Sequence, residues 1–208
     1  MRREIMASVY AFEGIVPVVD PSAYLHPRAV LIGDVIVGPH CYIGPGVSLR
    51  GDYGRIVIGG GSNAQDNVVM HSFPAAETQV GEDCHIGHGV VLHGCRLGTN
   101  VLVGMNAVVM DGAQVGDDCF IGALAFVKGN DEIPPRSLAA GIPARVVREL
   151  SEDDVSRKSR GTAQYQWLAR RCWQGLVACE PLSEIEADRP SARWDESIRP
   201  LHEKPNVE

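Results

Sequence analysis

Three of the seven histidines, His71, His88 and His93, fall where ring nitrogens could gather on one ion. Three imidazoles with a fourth position left open are the ligand set of a catalytic zinc centre, and the same donors suit iron(II) or cobalt. An ion held this way lowers the pKa of bound water toward about 7 and supplies hydroxide at neutral pH. Such hydroxide would attack an electrophilic carbon. The remaining histidines read as solvated: His40 and His85 at turns or on outside faces, His26 and His202 near the termini.

The elements that must bring the three together are written in a six-residue repeat. Leu31, Val37, Ile43 and Leu49 are six apart, and Ile58, Ala64 and Met70 continue after a short slip. Val80, Ile86 and Leu92 follow, then Leu97, Val103, Val109, Val115, Ile121 and Val127. Four residues after each aliphatic stands a small or β-branched one, such as Val47, Cys84, Val90 or Ala107. Glycine often follows the aliphatic directly, as at Gly44, Gly81, Gly87 and Gly104, and is expected there to supply positive φ at a turn. Each unit is one short strand and one corner, and three units close an eighteen-residue triangular coil. The coils span about residues 20–130, with residues 52–54 and 72–79 thrown out as loops between faces.

In this register Arg50, His71 and His93 occupy one position on one face of successive coils, about 4.8 Å apart. Asp66 and His88 stack on the preceding face. His88 lies up to roughly 18 Å from His93 along the same coil, so one chain cannot close the triad. A second prism packed alongside can, and three-fold closure is the natural symmetry.

The solenoid domain is expected over 11–145. Pro134-Pro135 and Gly141-Ile142-Pro143 break the pattern, and Ser151 before Glu152, Asp153 and Asp154 caps a helix with an acidic first turn. The helical segment runs over 150–180, interrupted at Gly161-Thr162, with Tyr165, Leu168, Cys172, Leu176 and Cys179 on its packing face. Residues 181–208 form an extended, proline-containing tail. Cys41, Cys84 and Cys119 are core thiols of the repeat, and Cys95 is a turn residue. A formal charge of −7 with no basic stripe argues against nucleic acid or an anionic membrane surface as partner. No apolar run approaches the ~20 residues of a membrane span, and with no apolar leader after Met1-Arg2-Arg3 a cytoplasmic protein is expected; Met6 is an alternative start.

Leu49-Arg50-Gly51-Asp52, Asn63-Ala64-Gln65-Asp66-Asn67, Met70-His71 and Ile86-Gly87-His88 through His93-Gly94-Cys95 resemble the signature of the γ-class carbonic anhydrases. The resemblance covers about residues 10–180. It is nearest to the subgroup encoded in phenylacetate and carnitine operons, and leans to the phenylacetic acid degradation branch. It implies an all-β solenoid, the left-handed parallel β-helix, with a C-terminal α-helix, assembled as a homotrimer. It further implies that His71, His88 and His93 bind Zn2+, two from one subunit and one from the next. Arg50 and Asp52 would form inter-subunit ion pairs, Gln65 would hold the water on the metal, and Asp66 and Tyr165 would help move protons. The implied activity is CO2 hydration. An acyl-CoA thioesterase using the same metal site, a CoA-dependent acyltransferase needing none, and a non-catalytic scaffold are the alternatives. Unlike the prototype, the loop Ser72-Phe73-Pro74-Ala75-Ala76-Glu77-Thr78 carries a single carboxylate, well past His71, which leaves no evident proton shuttle.

Overall fold

The computed structural model describes residues 7–191; Met6, His202 and the tail beyond residue 191 lie outside them. The chain winds a parallel β-helix of about seven turns, closed by one C-terminal helix. The aliphatic repeat positions fill its interior: Leu31, Ile43, Leu49, Met70, Leu92, Val103 and Ile121 are buried, as are their small companions Val47, Val68, Cys84, Val90 and Ala107. Cys95 belongs to this interior set rather than to an outside turn. It stands two residues before Leu97, in the same slot that Ala113 occupies before Val115, and burial pushes its thiol up to about 12.

Three faces repeat in each coil. One stacks Tyr24–Leu25, Tyr42–Ile43, Asn63–Ala64, His85–Ile86, Leu102–Val103 and Phe120–Ile121. The next, the histidine face, carries Val69–His71, Val91–His93 and Val108–Val109. Strands Val30–Val37 and Ser48–Ile58 run round the corner into the third face, so two faces join as one sheet. Residues 52–54 are therefore not a loop. They lie within a continuous strand whose pairing with Val30–Val37 shifts register after Gly33↔Gly51. The excursion that follows His71 is short, because strand Glu77–Val80 resumes the third face.

The glycines after the aliphatic positions do not supply positive φ. Left-handed backbone sits two residues later, at Asn67 (φ 60°), Gly89 (φ 71°) and Asn106 (φ 57°). Glycine is required at the earlier position because the next coil is too close: a Cβ on Gly81 would lie 2.3 Å from the Gly98 carbonyl oxygen, and one on Gly104 2.4 Å from the Ala123 nitrogen.

Helix α1 (Glu152–Gly175) starts in a capping box made by Ser151 and Asp154 and runs without a break through Gly161-Thr162. Gly161 costs helix propensity, but its neighbours hold the helix to the coils. Lys158, 1 % exposed, donates to the Asp83 carbonyl and to Asn100 Oδ1, and Gln166 donates to Gly61 O (3.1 Å) and Asp83 Oδ1 (2.9 Å). Burial depresses the Lys158 ammonium to about 8. α1 lies across the strands Tyr24–Leu25, Tyr42–Ile43 and Asn63–Ala64. It ends before Cys179, which is exposed and outside the helix. Arg145–Glu149 turns back antiparallel on Ser137–Ala140 and closes the C-terminal coil.

Leu92 is packed between Met70 and Val109 of the adjoining coils. Leu92→Ala is expected to cost about 2–5 kcal/mol of stability, read as a fall in the urea midpoint with little change in slope.

Candidate functional site

The register pairs His71 with His93 directly and places Asp66 opposite His88 one face earlier. On the histidine face, His71 Nδ1 stands 3.2 Å from His93 Nε2. The other nitrogen of each ring is engaged by a carboxylate: His71 Nε2 lies 3.0 Å from Asp52 Oδ1, and His93 Nδ1 lies 2.6 Å from Asp111 Oδ1. At the far corner His88 Nδ1 is 2.6 Å from Asp66 Oδ2, which leaves its Nε2 open toward solvent.

All three histidines thus share one arrangement. One nitrogen of each is tied to an aspartate, as in carboxylate–histidine–metal triads; the second nitrogens of His71 and His93 face each other at 3.2 Å and that of His88 faces outward. The facing pair also fits an ion. Two nitrogens bound at about 2.0–2.1 Å in tetrahedral geometry would stand about 3.3 Å apart. Among the described residues no three His, Cys, Asp or Glu side chains of a single chain are grouped to hold a metal, so His88 does not join His71 and His93 within one chain. Asp111 escaped the sequence reading, although it lies eighteen residues, one coil, past His93.

Arg50 and Asp52, implied as partners between subunits, pair within the chain: Arg50 Nη1 donates to Asp52 Oδ2 at 2.7 Å. Two residues apart on one strand, they project to the same side. Partial burial of Asp52 opposes its charge, but hydrogen bonds from Arg50 and His71 outweigh it and hold the carboxyl below its ordinary value. Two exposed aromatics flank the histidine pair. The Tyr53 ring is 5.4 Å from that of His71, and Phe73 meets His93 edge-on at 5.2 Å. Their segments interlock at Gly54, where a Cβ would lie 2.0 Å from the Ala76 carbonyl oxygen and 2.5 Å from Ser72 Oγ.

The opposite half holds Gln65, Asp66 and Tyr165. Gln65 is 3 % exposed, and its Nε2 donates to Asn63 Oδ1 (3.1 Å) and lies 2.7 Å from His85 Nε2. Tyr165 reaches this face from α1, stacking edge-on against His85 (5.1 Å) and against Tyr42 (5.5 Å). Burial, then the nearby Asp66, raises its phenol, so Tyr165 stays protonated at neutral pH. His85 is not the solvated residue its sequence position suggests. The helix covers it, and burial, reinforced by Lys158 and His88, lowers its imidazole to about 4. A strand position that points outward is solvated only if nothing packs on that face, and the repeat carries no record of where α1 lies.

The family model for the bacterial transferase hexapeptide (six repeats) matches residues 17–51, 77–109 and 94–129. The carnitine operon protein CaiE of Proteus sp. (strain LE138) is 50 % identical over 193 residues, covering 93 % of this chain and 98 % of that one. CaiE of Escherichia coli (strain K12) is 49 % identical over the same shares. Among solved structures, a putative acetyltransferase of Bacillus cereus superposes with a TM-score of 0.78 at 34 % identity, over 79 % of this chain and 95 % of that one. A hexapeptide transferase family protein from Anaplasma phagocytophilum gives 0.76 at 34 % identity, over 78 % and 96 %.

A partly buried, neutral His85 has a consequence for stability. Its folded pKa, about 4, lies below the ordinary 6.5, so between those values the unfolded chain takes up a proton that the folded chain refuses. Stability from this group is full above about pH 6.5 and is lost as pH falls toward 4. Urea melts at pH 7 and pH 5 should show a smaller loss in His85→Gln than in the unaltered chain.

Proposed function

The chain belongs to the hexapeptide-repeat family that includes the CaiE proteins, and we propose that it is a metal-dependent hydratase of the γ-carbonic-anhydrase kind, acting on CO2 at centres shared between copies of a homotrimer. The observation that carries this reading is the set of three aspartate–histidine pairs, Asp52–His71, Asp66–His88 and Asp111–His93, with the second nitrogens of His71 and His93 facing each other at 3.2 Å.

His71 and His93 of one copy and His88 of the next would hold the ion: zinc, or iron(II) or cobalt by the same donors. When bound, it supplies a Lewis acid that makes a nucleophile from water at neutral pH. The aspartates fix each ring and raise its basicity as a donor. Gln65 and Asp66 arrive on the same half as His88, with Gln65 placed to orient the attacking oxygen. Tyr53 and Phe73 wall the other half and limit water beside it. Among the described residues no glutamate stands beside His71 to export protons: Glu77 lies 3.8 Å from Arg96 on the third face, and the Asp52 carboxylate beside His71 is engaged by that ring and by Arg50. Hydration should therefore depend on buffer, and imidazole-type buffers should raise the rate.

A second reading uses the same centre to hydrolyse acyl thioesters. Tyr53 and Phe73 favour it, because exposed aromatic rings beside the ligands suit a substrate with an apolar arm better than CO2. An acyltransferase that needs no metal would keep its rate after chelation; the B. cereus relative is described as a putative acetyltransferase.

His71→Ala, His88→Ala and His93→Ala should each lose most bound metal and most activity. Mixing His88→Ala with His93→Ala chains by co-refolding should restore about a quarter of the sites, since one interface in four then joins two intact halves. Metal analysis and CO2-hydration and acyl-CoA-hydrolysis rates on the same samples check this. No recovery in confirmed mixed trimers, or a fully metal-loaded monomer by light scattering, sinks the shared centre.

A further inference from the structure

Gln65, Asn63 and His85 form a polar cluster beneath α1 whose hydrogen bonds can be counted. Asn63 Nδ2 lies 3.4 Å from the Cys84 carbonyl oxygen, to which it donates. It also stands 3.5 Å from His85 Nδ1, a contact too long to compete with the 2.7 Å approach of Gln65 Nε2 to His85 Nε2 for the single lone pair of a neutral ring. The bond to Cys84 orients the Asn63 amide, because the flipped amide would face two acceptors toward each other in a buried place. Its Oδ1 is then turned to Gln65 and accepts one Nε2 hydrogen at 3.1 Å. The second Nε2 hydrogen points at His85 Nε2, 2.7 Å away, a contact that requires an unprotonated Nε2. Both hydrogens of the Gln65 amide are spent, and no described residue donates to its Oε1.

We infer that His85 is a positioning residue: with Asn63 it locks the Gln65 amide so that the carbonyl oxygen, and not the amino group, is what Gln65 offers to a ligand beside His88. The lock rests on the hydration reading for its purpose, since an acceptor there receives a hydrogen bond from an attacking water or hydroxyl group and aims its lone pair. A free amide would flip and present a donor as often, blunting that aim. The neighbourhood keeps the ring neutral. Burial disfavours its charge, and Lys158 and His88 oppose it further, while the Tyr165 ring seals the edge. The helix thus acts on the Gln65 amide through the Tyr165 ring packed on His85.

The test is nitrogen NMR of the full zinc-loaded chain carrying 15N-labelled histidine at pH 7, with the His85 signals assigned by their loss in His85→Gln. The expected spectrum shows His85 neutral, with Nδ1 protonated and Nε2 bare. A protonated Nε2, in either the other tautomer or the imidazolium, overturns the inference. In Gln65→Glu the carboxylate offers an acceptor where a donor stood, so His85 Nε2 should become protonated; unchanged signals would show that the contact does not exist. In CO2 hydration, His85→Phe should lower kcat roughly tenfold or more at unaltered zinc content. His85→Gln, whose Oε1 can replace the lost acceptor, should recover part of that loss. Equal losses in the two variants overturn the positioning role. If the unaltered chain hydrates no CO2, the functional reading fails, and the nitrogen spectra still decide the orientation of Gln65.

Discussion

Everything in this molecule depends on the backbone hydrogen bonds that tie each coil to the next. The ladder fixes a residue opposite its counterpart one coil away, as Leu49 opposite Met70 and Met70 opposite Leu92. Side chains follow without further choice. Aliphatics meet inside as a continuous core, and polar residues meet outside as columns. His71 sits over His93 because the ladder allows nothing else, and the same spacing brings Asp111 beneath His93. The chemistry is a by-product of register. A one-residue slip would bury the histidines and expose the core.

The two halves of the centre solve different physical problems. His71 and His93 are partly buried, with aspartates on their outer nitrogens, so their rings are oriented and their remaining nitrogens face each other. The Gln65 half is enclosed by α1 and holds a neutral imidazole amid amide groups. The Gln65 amide is held by neutral partners, Asn63 and His85, whereas His71, His88 and His93, outside that cluster, are each held by a carboxylate. Lys158 keeps the helix in place from a buried position, with its ammonium satisfied by the Asp83 carbonyl and Asn100. Without those partners the burial of that charge would be costly.

Much of this was legible in the sequence, because the repeat is an interior pattern. Aliphatic and small positions every six residues specify the coils, the pairing of His71 with His93 and that of Asp66 with His88. Three kinds of information were not. Why glycine stands at 81 and 104 depends on the distance to the next backbone, and periodicity reports only that something small is needed. The continuity of α1 through Gly161 comes from tertiary contacts that override propensity. The role of His85 depends on which face the helix covers, a contact between residues eighty apart in the chain. A pattern local to the coil carries no trace of it.

The returning strand Arg145–Glu149 bears on a different property. A parallel coil offers the same unsatisfied row of N–H and C=O groups at its last turn as at every turn before, so nothing intrinsic to the repeat limits its length. Arg145–Glu149 reverses direction and pairs antiparallel with Ser137–Ala140, with a register irregularity between Leu138 and Ala139. It presents a mismatched edge in place of a template. The strand is what makes the solenoid a particle of fixed size instead of the seed of a fibre.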